Sequence, residues 1–280
     1  MSITPDKNPA KSSTVHSVVV ASRLLGFLAE SGRPQRVTDI AVHLGMTKAR
    51  VSRHLSTLAD LGLVAKMPDK SGYRLGPTLF RLSNAALDQY EITNIAYRYM
   101  VVLRNQIQES LLLAIPAGGD ALVVSTIASG KTLSPNLVRG TRWSIPTSPT
   151  ASIILAYSPE SVRERVLARR SERDLTPMLE LPPEREVILD PVEQRAEFVT
   201  IQRRFYAYAD DPHDAGFAVV STPVFDHSER LEAALTIVMN RRPGCVNQET
   251  MYLSQLKQTA VDISRALGSV EMADKMVATI

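Results

Sequence analysis

Apolar residues between His16 and Glu30 (Val18, Val19, Val20, Ala21, Leu24, Leu25, Phe27 and Leu28) cover more than one face of a helix. Such a helix is expected to be buried on two sides, by its own domain and by a second subunit. Gly32 and Pro34 end it. Thr38 is the expected N-cap of a short helix through Leu44, and Gly45 follows in the left-handed conformation that glycine adopts without strain. Thr47 caps the next helix, which carries Val51, Leu55, Leu58 and Leu61 to a stop at Gly62. Two β-prone pieces, 63–66 and 73–75, flank Pro68-Asp69-Lys70-Ser71-Gly72, which has the chemistry of a hairpin loop. Helix, helix, glycine turn, helix and hairpin, in that order, make a winged helix-turn-helix.

Beyond Gly76-Pro77 the pattern predicts a helical connector to about Gln108, with a break near Glu91. Strands over 111–116 and 121–127 are joined at Ala117-Gly118-Gly119-Asp120, and 138–145 reads as another strand. Pro149 to Tyr157 reads as a buried helix and Glu160 to Arg173 as a charged, exposed one. Residues 176–190, with Pro177, Pro182 and Pro183, form an irregular excursion before a helix from Pro191 to Arg204. Strands over 217–224 and 231–239 pair around Phe225-Asp226-His227-Ser228, and Asn247 is the expected cap of a last helix to Leu267. Strands paired at both ends, with helices between them, predict an α+β sheet domain. The expected organisation is a disordered tail over 1–14, a winged helix-turn-helix over 15–77, a helical linker over 78–108 and a second domain over 109–270.

Composition adds boundaries. With 280 residues, 44% hydrophobic and 22% charged, the chain is neither disordered nor fibrous. It has no run of about 18 apolar residues to span a bilayer, and residues 1–14 lack the apolar core of a secretory signal. The single cysteine, Cys245, closes no internal disulfide and builds no zinc site. The expectation is a cytosolic protein that needs no cofactor. Charge is unevenly divided: residues 1–80 hold 11 basic and 5 acidic side chains, the remainder 21 and 24. The basic first third is the candidate for a polyanionic partner.

On the helix from Lys48, Val51, Leu55 and Leu58 form the core stripe, while Arg50, Arg53 and Thr57 share another arc, with Lys48 near the helix start. That face suits the major groove of double-stranded DNA: arginine can take guanine O6 and N7 together, and the helix N-terminus attracts phosphate. Lys66, Lys70 and Arg74 on the hairpin are expected to meet the sugar-phosphate backbone or the minor groove.

Other patterns are weaker. Ser129-Gly130-Lys131-Thr132 ends like a phosphate-binding loop, and a phosphate-binding enzyme is the rival reading it supports. However, Ser125 stands where the first glycine is required, and Pro135 follows where a helix should grow. Asp210, Asp211, His213 and Asp214 resemble a metal cluster but read more simply as a polar turn, and Cys245 has no spacing to His213 or His227 that supports a thiol pair. No metal site is read.

Residues 16–76 resemble the N-terminal domain of the IclR family of bacterial transcription regulators. The resemblance is carried by Val37 through Lys48, then Arg53-His54-Leu55-Ser56-Thr57-Leu58, then Gly62-Leu63-Val64 and Tyr73-Arg74-Leu75-Gly76. It continues through Gly140, Ile145-Pro146, Thr150-Ala151, Asp210-Asp211, Gly216, Pro223-Val224-Phe225-Asp226 and Ala234-Leu235-Thr236-Ile237, covering about 16–268. It implies a GAF-like ligand-sensing second domain, dimers or tetramers, and a small organic effector that changes operator binding. Departures are visible. Ile153-Ile154, or a one-residue gap, stands where the family usually has Gly-Lys, Val219 where it has a cysteine, and Thr236, Val238 and Met239 where it often has two serines and a glycine.

Closing the sheet as the resemblance implies would bring together Thr150, Ala151, Asp210, Asp211, Val219, Thr236 and Val238. The two threonine hydroxyls and the helix start near Ala151 could then hold a carboxylate, with Val219, Val238 and Met239 as an apolar wall. The expected function is a ligand-responsive, homo-oligomeric regulator that binds a pseudo-palindromic operator and answers to a small carboxylic acid. The rivals are the phosphate-binding enzyme and a DNA-binding scaffold that has no effector.

Overall fold

A computed structural model describes residues 15–69, 71–89, 91–132, 134–144, 148–171, 190–210, 216–241, 247 and 249–280. The chain divides between Gln89 and Tyr90 into two compact units.

In the first unit α1 (His16–Glu30), α2 (Val37–Leu44) and α3 (Lys48–Asp60) precede the antiparallel hairpin β1 (Val64–Lys66) and β2 (Tyr73–Leu75), and α4 (Thr78–Gln89) closes it. The core is Leu24 and Leu28 from α1, Ile40 and Leu44 from α2, and Val51, Leu55 and Leu58 from α3. Each such side chain contributes about 1.5–3 kcal/mol on burial. α1 buries Val20, Leu24 and Leu28, while Val18 on its other side stays 65% exposed. Gly45 ends α2 at φ 63°, and Thr47 caps α3 by accepting from the Arg50 N–H at 3.4 Å. Thr38 is not a cap. Gln35 is held in a bridge to Tyr73, so α2 starts two residues earlier than expected, from an extended Arg36 whose carbonyl takes the Asp39 and Ile40 N–H groups; the Thr38 hydroxyl instead meets Asp39. The same bridge explains Gly72 (φ 141°): a Cβ there would lie 2.2 Å from the Gln35 carbonyl oxygen.

The second unit comprises α5 (Glu91–Ile107), β3 (Ser110–Ala117), β4 (Asp120–Ile127), β5 (Arg142–Trp143), α6 (Pro149–Ala156), α7 (Glu160–Ser171) and α8 (Pro191–Arg204). It continues with β6 (Ala207–Asp210), β7 (Phe217–Phe225), β8 (Leu231–Asn240), α9 (Leu253–Ala266) and α10 (Glu271–Val277). The six strands form one antiparallel sheet in the order β5-β4-β3-β8-β7-β6. This is the α+β class expected. α5 and α9 cover one face around Leu111, Leu113, Leu235 and Ile237, while α6 and α8 cover the other around Leu112, Ala114, Val219 and Val238. Both faces being covered, β7 and β8 are buried along nearly their whole length.

Several expectations are corrected. The stretch 78–108 is not all linker, because α5 sinks Ile92, Ala96, Met100, Leu103 and Ile107 into this unit's core. Among the described residues the strand over 138–145 shrinks to 142–143, because Gly140 turns at φ 87° and only 142–143 pair with β4, beside the bonds of Gly140 and Thr141 to Val123. The last long helix starts at Leu253 rather than beside Asn247, and α10 follows it. Residues 172–189, most of the predicted irregular excursion, and the tail 1–14 lie outside the described residues. Among the described residues no helix is long and apolar enough to cross a membrane.

Candidate DNA interface and ligand site

Turning Val51, Leu55 and Leu58 into the core leaves Lys48, Arg53 and Thr57 exposed and Arg50 half-buried on the other side of α3. No acidic side chain among the described residues pairs with Lys48, Arg50 or Arg53, so their charge is available to a polyanion. The Thr57 hydroxyl bonds back to the Arg53 carbonyl at 3.2 Å. The hairpin brings its two described cations together less well. Register opposes Lys66 to Tyr73 and Arg74 to Ala65, which puts the Lys66 and Arg74 side chains on opposite faces of the wing. Lys70 lies outside the described residues. At the wing tip the Ser71 N–H donates to Asp69 at 3.0 Å, and hydrogen bonding from Ser71 holds that carboxyl below its usual range, so the tip carries a fixed negative charge beside the cations.

In the second unit three hydroxyls meet on the α6 side of the sheet. Thr236 on β8 lies opposite Ser221 on β7, with their oxygens 2.8 Å apart, and the Thr150 hydroxyl of α6 reaches Thr236 at 2.9 Å. All three residues are fully buried. Ser148 caps α6, its hydroxyl taking the Ala151 N–H at 3.4 Å. Val219 and Val238 are cross-strand partners one row further along the same face. Thr150, Ala151, Val219, Thr236 and Val238 thus share one site, and Ser221 joins them unforeseen. Its signal in the sequence was a Ser-Thr pair inside a strand that is otherwise apolar and buried on both faces.

Asp210 does not join them. Its partner on β7 is Ala218, on the α5 and α9 side, so the Asp210 side chain points away from Thr236 and instead takes both nitrogens of Arg241 at 3.1 and 3.2 Å. Met239, pairing with Ala218 in turn, faces the same far side and is no part of the apolar wall. Asp211, His213, Asp214 and Cys245 lie outside the described residues. Among those described, no group of three His, Cys, Asp or Glu could hold a metal.

The phosphate-loop look-alike has other employment. The Ser129 N–H donates to the Ser110 hydroxyl at 3.0 Å, Lys131 pairs with the buried Glu109 carboxylate, and no helix follows over 134–139. A P-loop needs that helix N-terminus and a free lysine.

A winged helix-turn-helix with an unpaired basic face, joined to a separate sheet domain with a buried polar cluster, defines a DNA-binding regulator of transcription. Residues 17–68 match the model of the IclR helix-turn-helix domain and residues 84–265 that of the bacterial transcriptional regulator IclR C-terminal domain. The chain belongs to the IclR family, whose members are transcription regulators and not enzymes, which removes the phosphate-binding rival. It is 24% identical to the HTH-type transcriptional regulator XynR of Escherichia coli, over 91% of this chain and 98% of that protein. It is 20% identical to the transcriptional repressor IclR of the same organism, over 80% and 79%. Among solved structures, an IclR transcriptional regulator from Silicibacter sp. TM1040 superposes with a TM-score of 0.73 at 21% identity, covering 91% of this chain and 97% of that one. An IclR homolog from Microbacterium hydrocarbonoxydans, complexed with 4-hydroxybenzoate, gives 0.69 at 20% identity, covering 90% and 98%.

Proposed function

We propose that the chain binds a pseudo-palindromic operator as a homo-oligomer, and that a small carboxylic acid held between α6 and the sheet modulates that binding. Lys48, Arg50, Arg53 and Thr57 enter the major groove, and Lys66, Lys70 and Arg74 flank it. The observation that carries the DNA half is the exposed, unpaired basic face of α3 opposite its core stripe. The apolar side of α1 left open at Val18 and Val19 supports pairing with a second copy. Two-fold pairing then demands half-sites about one helical turn apart or a multiple of it. The effector half rests on Thr150, Thr236 and Ser221, whose hydroxyls, with the α6 N-terminus at Ala151, can ligate a carboxylate without a cation, while Val219 and Val238 meet an apolar body. The relative holding 4-hydroxybenzoate favours an aromatic acid.

Fluorescence anisotropy with operator DNA tests the first half. Affinity falls steeply with salt, and Arg53→Ala costs about 1–3 kcal/mol on the operator but little on random duplex. Lys70→Ala weakens both alike. An Arg50/Arg53 double alanine variant that binds the operator as tightly as the wild type refutes the recognition-helix assignment.

A further inference from the structure

Between the start of α2 and the tip of the wing lies a cleft of about 270 Å³. Sites for drug-sized ligands run to roughly 300–1,000 Å³, so this one fits a single small group. Arg33 and Arg36 line it, both exposed, and among the described residues no acidic side chain pairs with either. Gln35 lines it as well, yet is only 8% exposed. Its amide makes one long bond, to the Arg33 carbonyl at 3.4 Å, and its second N–H has no acceptor among the described residues. The Val37 and Thr38 N–H groups that open α2 are also without a partner there, since the N-cap, Arg36, offers no side-chain bond. Every one of these groups is a donor, and together they call for an anion. Asp39, which lines the same cleft, opposes them in part, and its carboxylate takes the Thr38 hydroxyl at 3.1 Å.

The position of the cleft fits a nucleic-acid backbone. Gln35 is bridged to Tyr73, next to Arg74 on the wing strand β2, so the start of α2 and the wing form one edge of the unit. In a helix-turn-helix the first helix, here α2, crosses the sugar-phosphate backbone while the second lies in the groove. We propose that the cleft clamps one phosphate of the DNA backbone beside the groove that α3 enters. Arg33 and Arg36 hold its oxygens, and the Gln35 amide and the first N–H groups of α2 complete the ligation. This rests on the DNA reading of α3 and adds to it a contact that recognises no base but fixes how α3 lies in the groove.

Fluorescence anisotropy of the full chain with a random-sequence duplex, over a range of salt, tests the clamp, because a backbone contact needs no operator. Arg33→Ala and Arg36→Ala should each weaken binding about tenfold and lower the slope of log affinity against log salt by about 1. Arg53→Ala, by contrast, should cost little on this duplex. Arg36→Lys keeps the charge but not the planar fork, and should recover only part of the loss. Gln35→Met, which removes the amide and no charge, should weaken binding about threefold with the slope unchanged. Asp39→Asn should tighten it. Losses at Arg33 and Arg36 no larger than that of Arg98→Ala, an exposed arginine of the second unit, overturn the clamp. So does full recovery in Arg36→Lys together with wild-type binding by Gln35→Met. Either result leaves the recognition helix standing, since that is read from the preference for operator over random duplex. A wild type that binds no duplex overturns the DNA reading, and the clamp with it.

Discussion

Replacing Thr236 by valine keeps the shape of the side chain and removes the oxygen that joins Thr150 to Ser221. Two hydroxyl–hydroxyl bonds, of 2.9 and 2.8 Å, are lost from a fully buried position. Ser221 keeps a long bond to the Leu235 carbonyl at 3.4 Å, so Thr150 bears most of the loss. A net bond is worth about 1 kcal/mol and an orphaned buried hydroxyl costs about 1–3, so Thr236→Val should destabilise the second unit by about 2 kcal/mol. In a unit of this size that lowers Tm by roughly 4–8 °C. The only tryptophan, Trp143, packs against the same α6-side cluster, so its fluorescence during urea unfolding reads this unit specifically. Thr150→Val, costly in the wild type, should cost little in the Thr236→Val background, because its partner has already gone. A triple variant with Ser221→Ala should regain most of the lost stability, since removing every polar partner at once leaves none orphaned. It should also lose acid binding. Strictly additive single costs, or a triple variant that binds an acid as the wild type does, refute the cluster as a coupled, ligand-binding unit.

Two further outcomes concern the ends of α10. Lys257 is buried, and that burial, with the nearby Arg204 guanidinium, holds its ammonium down to about 8 while it donates to the carbonyl and hydroxyl of Thr279. Because the folded value lies below the usual 10.5, its contribution to stability should rise as pH climbs from about 8 towards 10.5, and Lys257→Met should flatten that part of the Tm profile; a rise of unchanged slope counts against it. At the other end the Glu229 carboxylate accepts from the Ser269 hydroxyl and the Val270, Glu271 and Met272 N–H groups, which pull it down to about 2. Its stabilisation is therefore complete above the usual 4.5 and is lost as pH falls towards 2. Glu229→Gln should speed amide exchange over 270–277 at neutral pH with α9 unaffected; equal protection in both forms rules out this clasp.

What the sequence showed and what it hid divide along one physical line. The first unit was legible because each of its signals is local. Gly45 and Thr47 sit at the ends of the elements they delimit, and the Val51, Leu55 and Leu58 stripe fixes by itself which face of α3 remains for DNA. Thr38 failed as a cap because a contact distant in sequence, Gln35 with Tyr73, started the helix early. The proposed effector site depends almost entirely on such distant pairings. Thr236 and Val238 could be placed together from their spacing on one strand. Asp210 could not, because β6 is a four-residue edge strand whose inward and outward phase is set only by its pairing with β7.

A slip of one residue there would turn Asp210 towards Thr236 and Ala209 away from it. The register that forbids this is held by Ala207 packing in the α6-side core and Tyr208 against the opposite layer. That alternation has a consequence for the ligand. With Asp210 turned to Arg241, no carboxylate among the described residues faces the three hydroxyls, so an anionic effector meets donors there without repulsion. Had Asp210 pointed inward, the same hydroxyls would have been matched to a cation. In the proposed site, the register of one short edge strand thus favours an anion over a cation.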